Sequence, residues 1–163
     1  MRQLKLMVEV LTSPKTTFKS LPSDKIYLLA WLAPLYFGVA RVYRPPTYEK
    51  AIEWLGNPYM VFFVACIIGL IMIPIGAWIV RLIVRIFRKK LSVRKLMNIY
   101  GYSLVPRLVV ATLANLMLAL YPTAFQSNEL NGPQFILIAA GLSGLVYTMV
   151  LYVYGIVVSP SEQ

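Results

Sequence analysis

The chain has 163 residues, 59% of them hydrophobic and only 13% charged, with Lys+Arg 16 against Asp+Glu 6 for a net charge of +10. A soluble domain carries about 25% charged residues, and one of this length has no interior large enough for so much apolar side chain. Soluble classes and nucleic-acid partners are therefore excluded, and lipid is the expected solvent. Histidine is absent, which removes the commonest general base and the commonest metal ligand, so no metal and no cofactor are expected.

The N-terminal segment carries Arg2, Lys5, Glu9, Lys15, Lys19, Asp24 and Lys25, which leaves no apolar core for a cleavable signal peptide. Leu4, Met7, Val8 and Leu11 recur at helical spacing, with Arg2, Lys5 and Glu9 opposite, and predict an amphipathic helix. Ser13 followed by Pro14 reads as an N-cap with proline at the first helical position, opening a short turn through Phe18 and Leu21. This basic segment either lies along the inner membrane surface, held by anionic headgroups, or packs beneath the bundle.

Four apolar stretches follow. The first, 26–42, is interrupted by Pro34 and closed by Arg41, and spans if Lys25 and Arg41 snorkel to the headgroups. Beyond it, Tyr48, Ile52 and Leu55 make a short apolar stripe that Gly56, Asn57 and Pro58 terminate. The second, 59–80, is free of charge and close to the ~20 residues a crossing helix needs. Its lone thiol, Cys66, reads as buried filler. The third, 99–121, contains Pro106 and Arg107. The fourth, 135–158, is uncharged and presents Ala140, Gly144 and Thr148 at four-residue spacing, a pattern that lets helix backbones approach closely.

Charge orders these spans. Five cations precede the first span, and Arg81, Arg85, Arg88, Lys89, Lys90, Arg94 and Lys95 fill the second connection. The first connection sets Arg41, Arg44 and Lys50 against Glu49 and Glu53, and 122–133 has no Lys or Arg. Alternate segments are basic, which places both termini in the cytoplasm by the positive-inside rule.

Arg81, Arg85 and Arg88 recur at i, i+4 and i+7, so the second helix is expected to continue as a guanidinium stripe. The stripe and the following Lys89, Lys90, Arg94 and Lys95 are candidate sites for lipid phosphate or an acidic partner, or else topology determinants alone. Arg107, about 12 Å along a helix that begins at Ile99, has no acidic residue in any span to pair with. It either has a specific role or snorkels inward, with Pro106 freeing a carbonyl nearby. Ser143 lacks a neighbouring base, and no glycine-rich nucleotide loop is present, so an enzyme is not expected.

The run Ser13-Pro14-Lys15-Thr16-Thr17-Phe18-Lys19-Ser20-Leu21 resembles the P-x-x-x-F-x-x-L opening of prokaryotic Yip1-domain membrane proteins. The basic stretch 90–95, followed by Tyr100-Gly101-Tyr102-Ser103-Leu104-Val105-Pro106, is similar to that family's second signature, a basic loop leading into G-Y-x-x-x-P. The resemblance assigns Pro14, Phe18, Gly101, Tyr102 and Pro106 to family motifs that shape the fold. It implies a non-enzymatic protein acting through membrane partners, some bacterial relatives accompanying ABC-type exporters. Family members usually have five spans, whereas four are read here. The acidic D-L-Y-G-P motif of the eukaryotic branch is absent, so an association with small GTPases is not implied.

The expected fold is all-α, a single polytopic membrane domain over 1–163. It comprises a bundle of four transmembrane helices with an N-terminal amphipathic cytoplasmic helix, set in the bacterial inner membrane. Three functions are compatible with it: an accessory or scaffolding subunit of a larger complex such as an ABC-type exporter, a small oligomeric channel or transporter, and a membrane-remodelling protein. The expected partners are anionic lipid headgroups and either a membrane protein or further copies of the chain.

Overall fold

A computed structural model describes residues 2–43, 47–120 and 132–161, and every regular element among them is helical. The helices are α1 (Arg2–Thr12), α2 (Pro14–Ser20), α3 (Leu29–Val42), α4 (Thr47–Leu55), α5 (Pro58–Ile86), α6 (Val93–Ser103), α7 (Val105–Leu120) and α8 (Gly132–Val158). Arg44, Tyr121 and most of the connection 122–133 lie outside the described residues.

Three helical stretches are long and apolar enough to cross a membrane: Pro58–Ile86, Val93–Met117 and Phe135–Val158. The fourth expected span is shorter. Its helix begins at Leu29 rather than residue 26 and has 14 residues, about 21 Å at 1.5 Å per residue against a hydrocarbon core of ~30 Å. The late start has a tertiary cause. The backbone before Leu29 gives its hydrogen bonds to Asn98, on α6, instead of to a helical turn.

Local chemistry sets the other boundaries. Pro14 opens α2 as expected, although the Ser13 side chain makes no cap bond; Thr16 and Thr17 hydroxyls donate instead to the Ser13 carbonyl at 2.9 and 3.1 Å. Gly56, at φ +69°, ends α4. Asn57 then caps α5, its Oδ1 accepting the Tyr59 N–H at 2.8 Å, with Pro58 in the first turn. At the other end of α5, the Lys89 N–H returns to the Val84 carbonyl and the Arg88 N–H to that of Arg85. Arg88 itself sits at φ +58°. This is a Schellman closure with an arginine where glycine is usual.

Between α6 and α7 the helix breaks at Leu104, whose N–H is shared between the Tyr100 and Gly101 carbonyls. Pro106, two residues on, has no N–H to give to Tyr102, so the ladder cannot close there. The third stretch also starts six residues before Ile99, because Ser92 accepts the Lys95 N–H as an N-cap. Arg94 and Lys95 are therefore helical residues, not part of a loop.

Burial is unequal along the molecule. Of its most apolar window, the Val93–Met117 stretch buries 56%, whereas α5 and Phe135–Val158 each bury 17%. The continuous core lies at one end, where Leu6, Val10, Phe18, Leu21, Leu96, Ile99 and Tyr102 meet. Over the remaining length α5 and α8 turn Phe62, Phe63, Ile71, Val146 and Val153 outward, an arrangement suited to hydrocarbon as solvent.

The α1 register differs from the expected stripe. Leu6 and Val10 are buried and Met7 packs partly against the core, while Leu4 (69% exposed), Val8 (64%) and Leu11 (41%) form a second, outward apolar row. Helix α1 thus has one broad apolar face, part of it packed on the core and part turned outward. Glu9 reaches Lys5 at 3.5 Å on its surface.

Candidate functional site

Basic residues of the N-terminal segment and of the 81–95 stretch gather at the end that holds the core. There α1, α2, the 87–92 connection, the first turn of α6 and the end of α8 converge. The Ser159 hydroxyl donates to the Phe18 carbonyl at 3.3 Å, the Arg94 guanidinium to the Asp24 carbonyl at 2.7 Å, and the Lys89 ammonium to the Val157 carbonyl. Burial lowers the Lys89 pKa from its ordinary value.

At the centre of this end is a clamp on the segment between α2 and α3. Asn98, fully buried, accepts the Tyr27 N–H at 2.9 Å and donates to the carbonyls of Pro22 (3.0 Å) and Lys25 (2.9 Å). Lys95, 4% exposed, donates to the Leu21 carbonyl and at 3.4 Å to that of Lys19. Ser92 reaches the Ser23 carbonyl at 3.4 Å. A buried cation and a buried amide cost free energy unless partnered, and here irregular backbone supplies the partners. Sequence reasoning missed Asn98 altogether. Its signal was a single amide at a helical position otherwise flanked by Met97 and Ile99.

The family-motif residues surround this clamp. Phe18 is fully buried, and a Cβ placed on Gly155 would meet its ring atoms at 3.1 Å and Ile99 Cγ2 at 2.6 Å. A Cβ on Gly101 would stand 2.5 Å from the Ala30 Cα, so α3 and α6 cross backbone to backbone there. Tyr102 packs edge-on against Tyr27, ring centroids 6.1 Å apart, and Pro106 is buried. Pro14 is half-buried at the start of α2.

The cations expected to form one stripe do not share one environment. Arg85 and Arg88 are exposed, but α5 ends at Ile86 and the left-handed turn at Arg88 takes that residue off the helix face. Arg81 is half-buried, and its Nε is buried with no hydrogen-bond partner among the described residues. Lys90 and Arg94 are exposed. Lys95 is turned inward. The basic end therefore offers Arg81, Arg85, Arg88, Lys90 and Arg94 outward or at the rim.

Arg107 stands apart. With the stretch beginning at Val93, it lies about 20 Å along the α6–α7 axis, deeper than the sequence spacing implied. Its guanidinium carbon sits 4.3 Å above the Phe37 ring of α3, a cation–π contact worth more where water is scarce. The partner is aromatic, which a search for acidic residues could not find. Gly144 and Thr148 of the small-residue row are buried, and a Cβ on Gly144 would meet Val110 at 3.5 Å and the Arg107 Cα at 3.8 Å. That row packs α8 on α7 within the chain. Cys66 is only half-buried.

No curated protein and no solved structure matches the chain. The Yip1 domain family model matches residues 8–160, a stretch that runs from α1 through the clamp to the end of α8, and the chain belongs to the Yip1 domain family.

Proposed function

We propose that this protein is a non-enzymatic scaffolding or accessory subunit of a larger membrane complex, such as an ABC-type exporter. In this reading it is a single membrane domain of the prokaryotic branch that crosses the bacterial inner membrane four times, with both termini in the cytoplasm. The observation that carries the reading is the outward surface of α5 and α8: two long apolar helices that bury only 17% of their most apolar windows within the chain. Such faces are available to neighbouring helices as well as to lipid. The buried polar side chains beside the family-motif residues, Asn98 and Lys95, are occupied in holding the chain's own backbone, which favours an architectural over a chemical role.

The fourth crossing is supported by the ends of α3. Its first turn lies against α6 at the basic end, through Ala30 and Gly101. Its last residues reach the start of α5, where the Tyr43 hydroxyl donates to the Pro58 carbonyl at 3.2 Å. The shortfall in length falls to Arg41 and Lys25, which can snorkel.

Affinity purification from native membranes in mild detergent, followed by mass spectrometry, tests the proposal. A stoichiometric membrane partner is the expected result. Recovery of the chain alone as a defined oligomer would overturn it in favour of a self-assembled channel or transporter. The outward part of the apolar face of α1 favours a second reading, remodelling of the bilayer by the exposed Leu4, Val8 and Leu11 row. Membranes that keep their shape when residues 1–22 are deleted would eliminate that reading.

A further inference from the structure

Where α3, α5, α6 and α8 meet, the helices leave an apolar cleft of about 340 Å³, lined among others by Pro34, Gly38, Gly69, Gly76, Tyr100 and Tyr152. Two of its glycines explain its existence. A Cβ on Gly38 or on Gly76 would have nothing within 4 Å, so the missing side chains are open volume and not a site of close helix contact. Along α5 the lining runs from Gly69 to Val80, about 16 Å at 1.5 Å per residue. That is the depth of one leaflet of a ~30 Å hydrocarbon core.

Along α5 the apolar lining stops at Val80, one residue before a cation. Arg81 follows Val80 directly and stands one helical turn beyond Ala77, both of which line the cleft. Its Nε is buried without a partner, and Arg85 lies one turn further, exposed. Among the described residues the acidic side chains are Glu9, Asp24, Glu49 and Glu53; Glu9 is paired with Lys5, and none belongs to α5. A leaflet-deep apolar slot under an unpartnered guanidinium is complementary to one kind of molecule. We propose that the cleft binds one acyl chain of an anionic phospholipid, with the headgroup phosphate accepting hydrogen bonds from Arg81. This goes beyond the scaffold reading and does not depend on any protein partner.

The test uses the full chain, purified and delipidated, then offered phosphatidylglycerol or phosphatidylcholine in mixed micelles and read by native mass spectrometry. Gly76→Leu fills the cleft, and Gly141→Leu is its control, an exposed α8 glycine with equally open space around its Cβ. The wild type and Gly141→Leu should each hold one phosphatidylglycerol. Gly76→Leu should lower that occupancy at least tenfold, and Arg81→Gln should abolish the preference over phosphatidylcholine. Gly38→Leu, from the facing wall, gives the same reading if Gly76→Leu does not fold. Undiminished binding in both glycine variants overturns the proposal. So does equal retention of the two lipids by the wild type, or a dimer mass that only the cleft-filling variants lose, which would identify the occupant as a second copy.

Discussion

Asn98 shows how much one buried amide can decide. Its three hydrogen bonds hold backbone that has no other ladder to join, and truncation leaves a donor and two acceptors without partners. Asn98→Ala should destabilise the protein by on the order of 3 kcal/mol, seen as a lower thermal midpoint in detergent; an unchanged midpoint would mean that water replaces the amide. Gly101 is decisive for a different reason. A methyl group there would lie 2.5 Å from backbone that cannot rotate away, so Gly101→Ala should cost about 1–3 kcal/mol. Gly141→Ala, where the space is open, should cost nothing measurable by the same melt. The G-Y-x-x-x-P signature pointed to this glycine correctly, but only the crossing with Ala30 gives the reason. Arg107 was legible as an anomaly and its partner was not, because Phe37 is an unremarkable apolar residue until the fold brings it within reach of the Arg107 side chain.

At the scale of elements, the apolar periods located α5, α7 and α8 well, since lipid-facing helices announce themselves by length and lack of charge. The shortfalls lie where tertiary contacts override the local pattern. Residues 26–28 look apolar enough to be helical, yet Asn98 captures their neighbourhood. The stretch 90–95 looks like a basic loop, yet Ser92 caps its second half into a helix whose cations, Arg94 and Lys95, lie on the surface and inward. The α1 stripe of Leu4, Met7, Val8 and Leu11 is one half of a broad apolar face whose other half, Leu6 and Val10, is the buried one, and periodicity alone cannot choose between the halves. The end of α5 carries its own prediction. Arg88 adopts a left-handed backbone that glycine adopts without a Cβ penalty. Arg88→Gly should therefore raise stability by about 0.5–1 kcal/mol, measured as a higher melting midpoint. A decrease would show that the guanidinium contributes more than its backbone strain removes.

For the whole molecule, the decisive geometry is that the N-terminal helices, the α5–α6 connection and the end of α8 are tied together at one end, while Trp54, 88% exposed on α4, lies toward the other. In a Cys66→Ser background, single cysteines at Ser161 and Trp54 should react with impermeant thiol reagents from opposite sides of the membrane. Three candidate spans separate these positions, and reaction from the same side would refute an odd number of crossings between them. The charge pattern groups the N-terminal segment with the 81–95 connection, both rich in Lys and Arg, without any packing information.

The clamp also fixes an order of events during synthesis. Tyr27 and Asn98 are 71 residues apart, so the segment between α2 and α3 has only water to complete these hydrogen bonds until the start of α6 has left the ribosome. At ~5–20 residues per second that delay is on the order of 4 to 14 s. During it, while α4 and α5 are being made, the segment before α3 waits in an unfinished state for a single asparagine to arrive and close it.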